Sequence, residues 1–242
     1  MRRSGGQLSQ AYSVFFDYDY ASCIKGRGES WQVEVQELQL LRRLIWSPSK
    51  KDDGGLRFPA QRQNEMCIRD RYQTIVLGIR AYDTQKDVIA NNQRLLDFVQ
   101  AGGRLVVQYN TLGYTAAAGD FNAGKYTPYP ATLSRARVSV EEAPVAILDP
   151  ANPIFHTPNE ITQKDFAGWV QERGLYFMSQ WDENYTPLLE SHDPGEGEQK
   201  GGLLVARYGK GTYIYTGYAF FRQLPAGVPG AVRLFVNLVG SR

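Results

Sequence analysis

Two apolar runs with a helical pattern between them constrain this chain more than any other feature. Thr74-Ile75-Val76-Leu77-Gly78-Ile79 is continuously apolar and rich in β-branched residues. That composition marks a strand buried on both faces, as in a parallel sheet. The period then changes. Val88, Leu95, Leu96 and Val99 form one apolar stripe of a helix that runs to about Ala101, with Asp83 or Thr84 placed to cap its start. Gly102-Gly103 ends that helix, because glycine adopts the left-handed cap without a Cβ clash. Arg104 to Tyr109, with Leu105-Val106-Val107 at its centre, is the next strand. A strand–helix–strand unit of about 35 residues predicts a parallel, right-handed crossover.

The remainder is shorter in its signals. Thr111 to Leu133 is rich in Gly, Ala and Tyr, lacks periodicity, and reads as a long loop of the functional or mobile kind. Val145 to Leu148 is a short strand, and Asp149-Pro150-Ala151-Asn152-Pro153 a turn. Thr162 caps a short helix reaching Gly168. Leu203 to Tyr208, a tight turn through Gly209-Lys210-Gly211, and Tyr213 to Thr216 form an antiparallel hairpin. Pro229 opens a C-terminal helix, with Val232, Phe235, Val236 and Val239 facing inward. No internal repeat or low-complexity stretch interrupts 72–242.

Residues 1–71 read differently. Trp31 to Gln36 alternates like a strand and Leu38 to Ile45 is compatible with a helix, but no clear turn joins them. Glu65-Met66-Cys67-Ile68-Arg69-Asp70 resembles one reading frame of a transposon mosaic-end adapter used to fragment DNA for sequencing. The match is six consecutive residues, and the periodic part of the chain begins directly after it, at Tyr72. The expected organisation is therefore an artefactual or irregular extension, 1–71, followed by one α/β domain, 72–242.

Charge narrows the function. The chain carries 27 Lys and Arg against 25 Asp and Glu. Residues 72–242 hold 15 against 16, without a basic stripe, which argues against nucleic acid as a partner. No apolar run approaches the roughly 18–20 residues of a membrane span, and no apolar stretch of signal-peptide type follows the basic N-terminus. Cys23 and Cys67, the two cysteines, both precede Tyr72. A disulfide framework or a thiolate zinc site is thus not expected in the domain.

Thr74 to Tyr82, Asn91 to Asp97, Gly102 to Asn110, Gly168 to Gly174, His192-Asp193-Pro194-Gly195 and Phe220 to Gly230 together resemble the C-terminal region of bacterial LmbE/PIG-L-family deacetylases. The resemblance covers nearly all of 72–242. It implies a class I glutamine-amidotransferase-like, flavodoxin-like fold, also seen in ThuA-like proteins: a mostly parallel sheet flanked by helices. Relatives begin with an earlier strand and helix, so the fold is expected to be truncated at its N-terminus. A segment such as Trp31 to Val35 would then be drafted as a substitute strand. The resemblance also implies that the parent protein is a zinc-dependent carbohydrate de-N-acetylase and often exported.

Neither chemistry of those relatives is written in this chain. The deacetylases bind zinc through an Ala-His-Pro-Asp-Asp-Glu-type motif; here only His156 and His192 occur. His192-Asp193-Pro194 continues into Gly195 and reads as a polar loop with an Asp-Pro turn. Amidotransferases need a thiolate at a strand-to-helix elbow, activated by a histidine. The elbow position reads Tyr109-Asn110-Thr111, and the histidine position reads Gly217-Tyr218. No catalytic residue, metal or cofactor is therefore expected. Ligands of open parallel sheets bind at the carboxyl ends of strands. Arg80, Tyr82, Tyr109, Asn110, Tyr218 and Arg222 follow strand ends and are the binding candidates, with rings to stack and guanidinium and amide groups to direct hydrogen bonds. The alternative is that they hold loops together, with Arg80 or Arg222 pairing a carboxylate such as Glu172. Trp169, Trp181, Phe220 and Phe221 are expected in the core or at an interdomain surface. The implied function is a non-catalytic accessory domain partnering a deacetylase domain. A degenerate hydrolase and a stand-alone carbohydrate-binding module are the alternatives.

Overall fold

The structure is a computed structural model that describes residues 73–112, 121 and 123–240, together with the backbone of 11–14. Its central feature is a six-stranded sheet. In chain order the strands are β1 (Ala11–Val14), β2 (Thr74–Leu77), β3 (Arg104–Gln108), β4 (Tyr185–Pro187), β5 (Leu203–Tyr208) and β6 (Gly211–Thr216). They lie side by side as β1-β2-β3-β6-β5-β4. The first four neighbours run parallel, and the β5–β6 and β5–β4 pairs are antiparallel. The class is therefore mixed α/β with helices packed on the sheet.

Register divides the side chains into two layers. Val76, Val106 and Ile214 are cross-strand neighbours and share one core. Leu77, Val107 and Tyr215, displaced by one residue, share the other. Successive strand side chains point to opposite faces, so both faces of β2, β3 and β6 are apolar. The first face is covered by a C-terminal helix, Pro229–Gly240, through Val232, Phe235 and Val239. The second is covered by the segment between β2 and β3, through Tyr82, Val88, Leu95 and Val99. Each fully buried large apolar side chain contributes about 1.5–3 kcal/mol.

That covering segment is three helices rather than one: α1 (Ala81–Thr84), α2 (Lys86–Ala90) and α3 (Asn92–Gln100). The breaks have local causes. Gln85 is extended (φ −112°, ψ 100°) between α1 and α2. The Asn91 side-chain amide donates to the Asp87 carbonyl (2.8 Å), competing with the helical ladder. Neither Asp83 nor Thr84 is the cap. Arg80 occupies that position in the left-handed region (φ 57°), and Asp83 reaches instead to the loop after β3. The four expected stripe residues are nonetheless all buried.

The region read as a featureless loop contains a short helix, α4 (Ala123–Tyr126), and a strand, Ala131–Leu133, paired with Met178–Trp181. Two further antiparallel pairs, Val145–Ile147 with Leu189–Ser191 and Arg137–Val138 with Gly174–Leu175, complete the sheet structure among the described residues. Thr162 and Asp165 form a capping box, but on a 3-10 turn, Gln163–Phe166, that stops short of Gly168. A last short helix, α5 (Phe220–Gln223), precedes the C-terminal helix, α6 (Pro229–Gly240). The strand beside β2 is Ala11–Val14, from the stretch expected to be an extension; Trp31 to Val35 lies outside the described residues. No helix among the described residues is long and apolar enough to cross a membrane.

Two positions test this packing. A Cβ on Gly211 would lie 2.1 Å from both the Gly103 and the Val99 carbonyl oxygens, where the hairpin turn meets the end of α3. Gly211→Ala is expected to cost at least about 1–3 kcal/mol, since backbone atoms must shift; an unchanged denaturant midpoint would remove this contact from the account. His156 bonds the Glu160 carboxylate through Nδ1 (2.9 Å) and the Pro150 carbonyl through Nε2 (2.7 Å). Both partners are acceptors, so the contacts favour the imidazolium and the pKa is raised, first by the Glu160 hydrogen bond and then by Pro150. The stabilisation is complete below the unfolded-state value of about 6.5 and is lost as pH rises through the higher folded value. An NMR titration should give a His156 midpoint above about 6.5, falling on Glu160→Gln.

Candidate functional site

The carboxyl ends of β2 and β3 are tied to each other before any side chain is considered. The Arg80 amide donates to the Tyr109 carbonyl (2.7 Å). Asn110 then accepts from the Tyr82 amide (2.9 Å) and donates to the Gln108 carbonyl (3.1 Å). Asp83, 2% exposed, accepts from both the amide and the hydroxyl of Thr111, each at 2.8 Å. The Tyr82 hydroxyl donates to Asn92 (2.6 Å). Of the candidates, Tyr82 and Asn110 are thus interior fasteners of the two loops.

Tyr109 sits above them, and aromatic rings surround it. Tyr176 stacks on it at 5.7 Å between centroids and 11° between planes. Phe221 is tilted against it at 5.3 Å. The Arg222 guanidinium lies over the Phe221 ring at 4.9 Å. Tyr176 and Phe221 are half-buried, so this group reaches the surface. The Tyr176 position is held from below, where the Tyr215 hydroxyl donates to its carbonyl (2.6 Å).

The charges beside these rings centre on Glu172, 3% exposed. Arg137 Nη2 and Arg222 Nε each approach it to 2.7 Å, one on each carboxylate oxygen. Arg222 also donates to the Gln171 side chain. The buried Gln223 side chain accepts from the Val170 amide and donates to the Val170 and Glu172 carbonyls, fixing the loop that carries the carboxylate. Arg80 pairs with Asp83 at 3.7 Å. Burial pushes the Tyr109 phenol up to about 12; Arg80 and Arg222 pull it down and Glu172 adds to the rise.

Three described residues other than glycine have positive φ: Arg80 (57°), Gln171 (67°) and Tyr176 (54°). All three belong to this cluster. Such backbone costs about 1–3 kcal/mol per residue and persists where surrounding contacts over-determine it. The sequence carries no mark of Tyr176 or Gln171 as site residues, because a left-handed tyrosine or glutamine has no compositional signature.

Arg80, Tyr109 and Arg222 are therefore brought together, Tyr82 and Asn110 support them, and Tyr218 is elsewhere. Tyr218 is 1% exposed, lies in the other core layer against Trp169 and Phe177, and shares a hydrogen bond with Ser191 (3.1 Å). The pairing of Arg222 with Glu172 is the loop-holding contact considered from sequence. Trp169 and Phe220 are buried in that same core, while Trp181 is half-buried against the other layer. Phe221 belongs to the cluster itself.

The arrangement offers a stacking surface edged by guanidinium groups. At neutral pH the phenol is protonated and the carboxylate is held by two cations, so the group presents donors and π faces. The two histidines are engaged elsewhere. His192 Nδ1 lies 2.7 Å from Glu190, and Asp193 accepts from the Ser139 and Val140 amides, as a polar loop does. Among the described residues no cluster of three or more His, Cys, Asp or Glu is arranged to hold a metal ion.

No protein-family model matches the chain, and no curated protein matches it. Solved structures are similar at a distance. A β-galactosidase from Rahnella sp. R3 is 18% identical with a TM-score of 0.39, over 69% of this chain and 22% of that one. A cytoplasmic protein from Salmonella typhimurium is 14% identical with a TM-score of 0.44, over 76% of this chain and 78% of that one. An exo-β-1,4-mannosidase from Opitutaceae bacterium strain TAV5 is 12% identical with a TM-score of 0.38, over 72% and 26%. The chain thus spans about a fifth of the length of that β-galactosidase. Likeness at these values defines no family.

The Tyr109 ionisation is the measurable signature of the cluster. Its Cζ resonance, assigned with Tyr109→Phe, should stay fixed to about pH 10, where a free tyrosine titrates, and move with a midpoint of about 12. Arg222→Gln should raise that midpoint and Glu172→Gln should lower it. A midpoint at the free-tyrosine value would show that the ring is not enclosed as described.

Proposed function

We propose that residues 72–242 are a non-catalytic accessory domain of a carbohydrate de-N-acetylase of the LmbE/PIG-L type, with the flavodoxin-like architecture of class I glutamine amidotransferases. One observation carries the reading. At the strand-to-helix elbow, where an amidotransferase holds its thiolate, Tyr109, Asn110 and Thr111 are each committed to an internal contact: ring stacking, the Tyr82 amide and the Asp83 carboxylate. A nucleophile must be presented to substrate with a base beside it. These side chains are instead used to hold the elbow closed.

The function left to the site is recognition. Tyr176 and Phe221, the half-buried rings packed on Tyr109, provide faces on which a pyranose stacks, and Arg80 and Arg222 provide directed donors for hydroxyl or carboxylate oxygens. In the parent protein this surface would hold a glycan while the zinc domain removes an acetyl group. The parallel order of β1, β2, β3 and β6, with helices on both faces, supports the architecture.

Titration of the chain with a chito-oligosaccharide, followed by NMR, should perturb Tyr176, Phe221 and Arg222. Tyr176→Ala should weaken binding about two- to tenfold, the value of one lost stacking contact of ~0.5–1.5 kcal/mol. Glutaminase turnover by the purified chain, abolished by Thr111→Val, would overturn the non-catalytic reading. Absence of saturable glycan binding would overturn the recognition role.

A further inference from the structure

The turn Asp149-Pro150-Ala151-Asn152 follows the strand Val145–Ile147 and leads into a 3-10 turn, Pro153–Phe155, whose Ile154 and Phe155 are buried in the core layer under α6. Both ends of this excursion are fixed. The Leu148 amide donates to the Leu188 carbonyl (3.0 Å), and Asn152 Oδ1 accepts from the Ile154 amide (3.2 Å), which caps the 3-10 turn. The tip has no such packing, since Pro150 and Ala151 are both exposed. Within the turn the Asn152 amide donates to the Asp149 carbonyl (3.1 Å). The contact that ties the tip to the rest of the molecule is His156, whose Nε2 lies 2.7 Å from the Pro150 carbonyl oxygen.

His156 stands between two anchors of unequal strength. Its Nδ1 faces both oxygens of the Glu160 carboxylate, at 2.9 and 3.0 Å. The Glu160 side is clamped to α6. Arg233 Nη2 donates to the Glu160 carbonyl (2.7 Å), and the Asn159 amide donates to Asn237 Oδ1 (2.9 Å). The His156 backbone is fixed as well, through its amide bond to the Pro153 carbonyl (3.1 Å). The other charged groups on these elements are already engaged. The Asp149 carboxylate accepts from Asn152 Nδ2 (3.1 Å), and Arg233 pairs with Asp165 (2.9 Å).

A neutral imidazole has one donor and one acceptor nitrogen, whereas the imidazolium has two donors. Both nitrogens of His156 face acceptors, so loss of a proton turns one of the two contacts into a lone pair against a lone pair. The carboxylate is the stronger acceptor and is the clamped side, so the remaining proton stays on Nδ1. Nε2 is then left facing the Pro150 oxygen without a hydrogen. The ring is held and the tip is not, so the tip gives way. We propose that His156 is a proton-operated latch on the Asp149–Asn152 turn, closed while the imidazolium bridges Pro150 and Glu160 and open when the ring is neutral. The His156 pKa is raised, by Glu160 first and Pro150 second, as it must be if closing the latch binds a proton. The latch therefore closes as pH falls through a value above the ordinary 6.5 and opens as pH rises through it. None of its residues belongs to the aromatic cluster, so it is independent of glycan binding.

NMR of the full chain between about pH 5 and 9, a range in which histidine is the side chain that ordinarily titrates, tests the latch. The Pro150 carbonyl carbon should shift with the same midpoint as the His156 ring. The Ala151 amide order parameter should lie near ~0.85 below that midpoint and fall toward ~0.6 above it. Glu160→Gln should move both midpoints down together. His156→Gln should abolish the response of the turn, while His192→Gln, at the other histidine, should leave it in place. His156 is exposed, so its variant folds, and its thermal midpoint verifies it. A Pro150 resonance that ignores the His156 titration, or an Ala151 amide equally ordered on both sides of it, would overturn the latch. A response that survives His156→Gln, or disappears in His192→Gln, would overturn the assignment to His156.

Discussion

The molecule depends on how closely β6 approaches the end of α3. Gly211 leaves room for the Gly103 and Val99 carbonyls where any side chain would collide. The Thr212 amide then reaches the Gly103 carbonyl (3.1 Å), and Thr212 aligns with Arg104 as Tyr215 aligns with Val107. A strand shifted by one residue would send every side chain to the opposite face. Tyr213 and Tyr215 would then leave the layer they share with Tyr82, and the Tyr215 hydroxyl would no longer reach Tyr176. The stacking of Tyr176 on Tyr109 is thus set at the far edge of the sheet, by the absence of a Cβ.

The same layer logic explains what was legible in the sequence. Runs buried on both faces announce themselves by composition, so β2 and β3 were readable to within one or two residues. The hairpin of β5 and β6 was readable from its glycines, and α6 from its spacing and Pro229. The broken helix was not, because the breaks come from Asn91 and Gln85 side chains and backbone that fit a helical window equally well. α4 and the Ala131–Leu133 strand escaped because four- and three-residue elements have too little length to show a period.

The candidate site was legible in proportion to how local its geometry is. Arg80, Tyr109 and Asn110 follow strand ends, and the position of strand ends was known. Tyr176 and Gln171 come from loops with left-handed backbone, and Glu172 becomes important only because Arg137 and Arg222 converge on it from separate elements. Tyr218 follows a strand as Tyr109 does, yet turns into the opposite core layer. Following a strand end places a residue at an edge of the sheet; which layer it joins depends on the bend that comes next, here Gly217 against Leu175 and Phe177.

The two edges of the sheet obey different electrostatics for one reason. In a strand–helix–strand unit the carboxyl end of each strand leads into a helix start, and the amino end follows a helix finish. Helix finishes present carbonyls and favour cations, which is why the Arg104 guanidinium bonds the Leu238 carbonyl. At the carboxyl edge the elbows are short, α1 is only four residues long, and the field of a helix start is weak. An anion there must be neutralised by side chains, and Glu172 is, by two guanidinium groups. A cation at the amino edge is therefore explained by the topology, as the Arg104 bond to Leu238 is. The aromatic cluster at the carboxyl edge takes Phe221 and Arg222 from the short α5 but does not depend on a helix dipole. It exists because three left-handed residues and a buried carboxylate are all held against their intrinsic preference, and a fold maintains such an arrangement through the contacts around it.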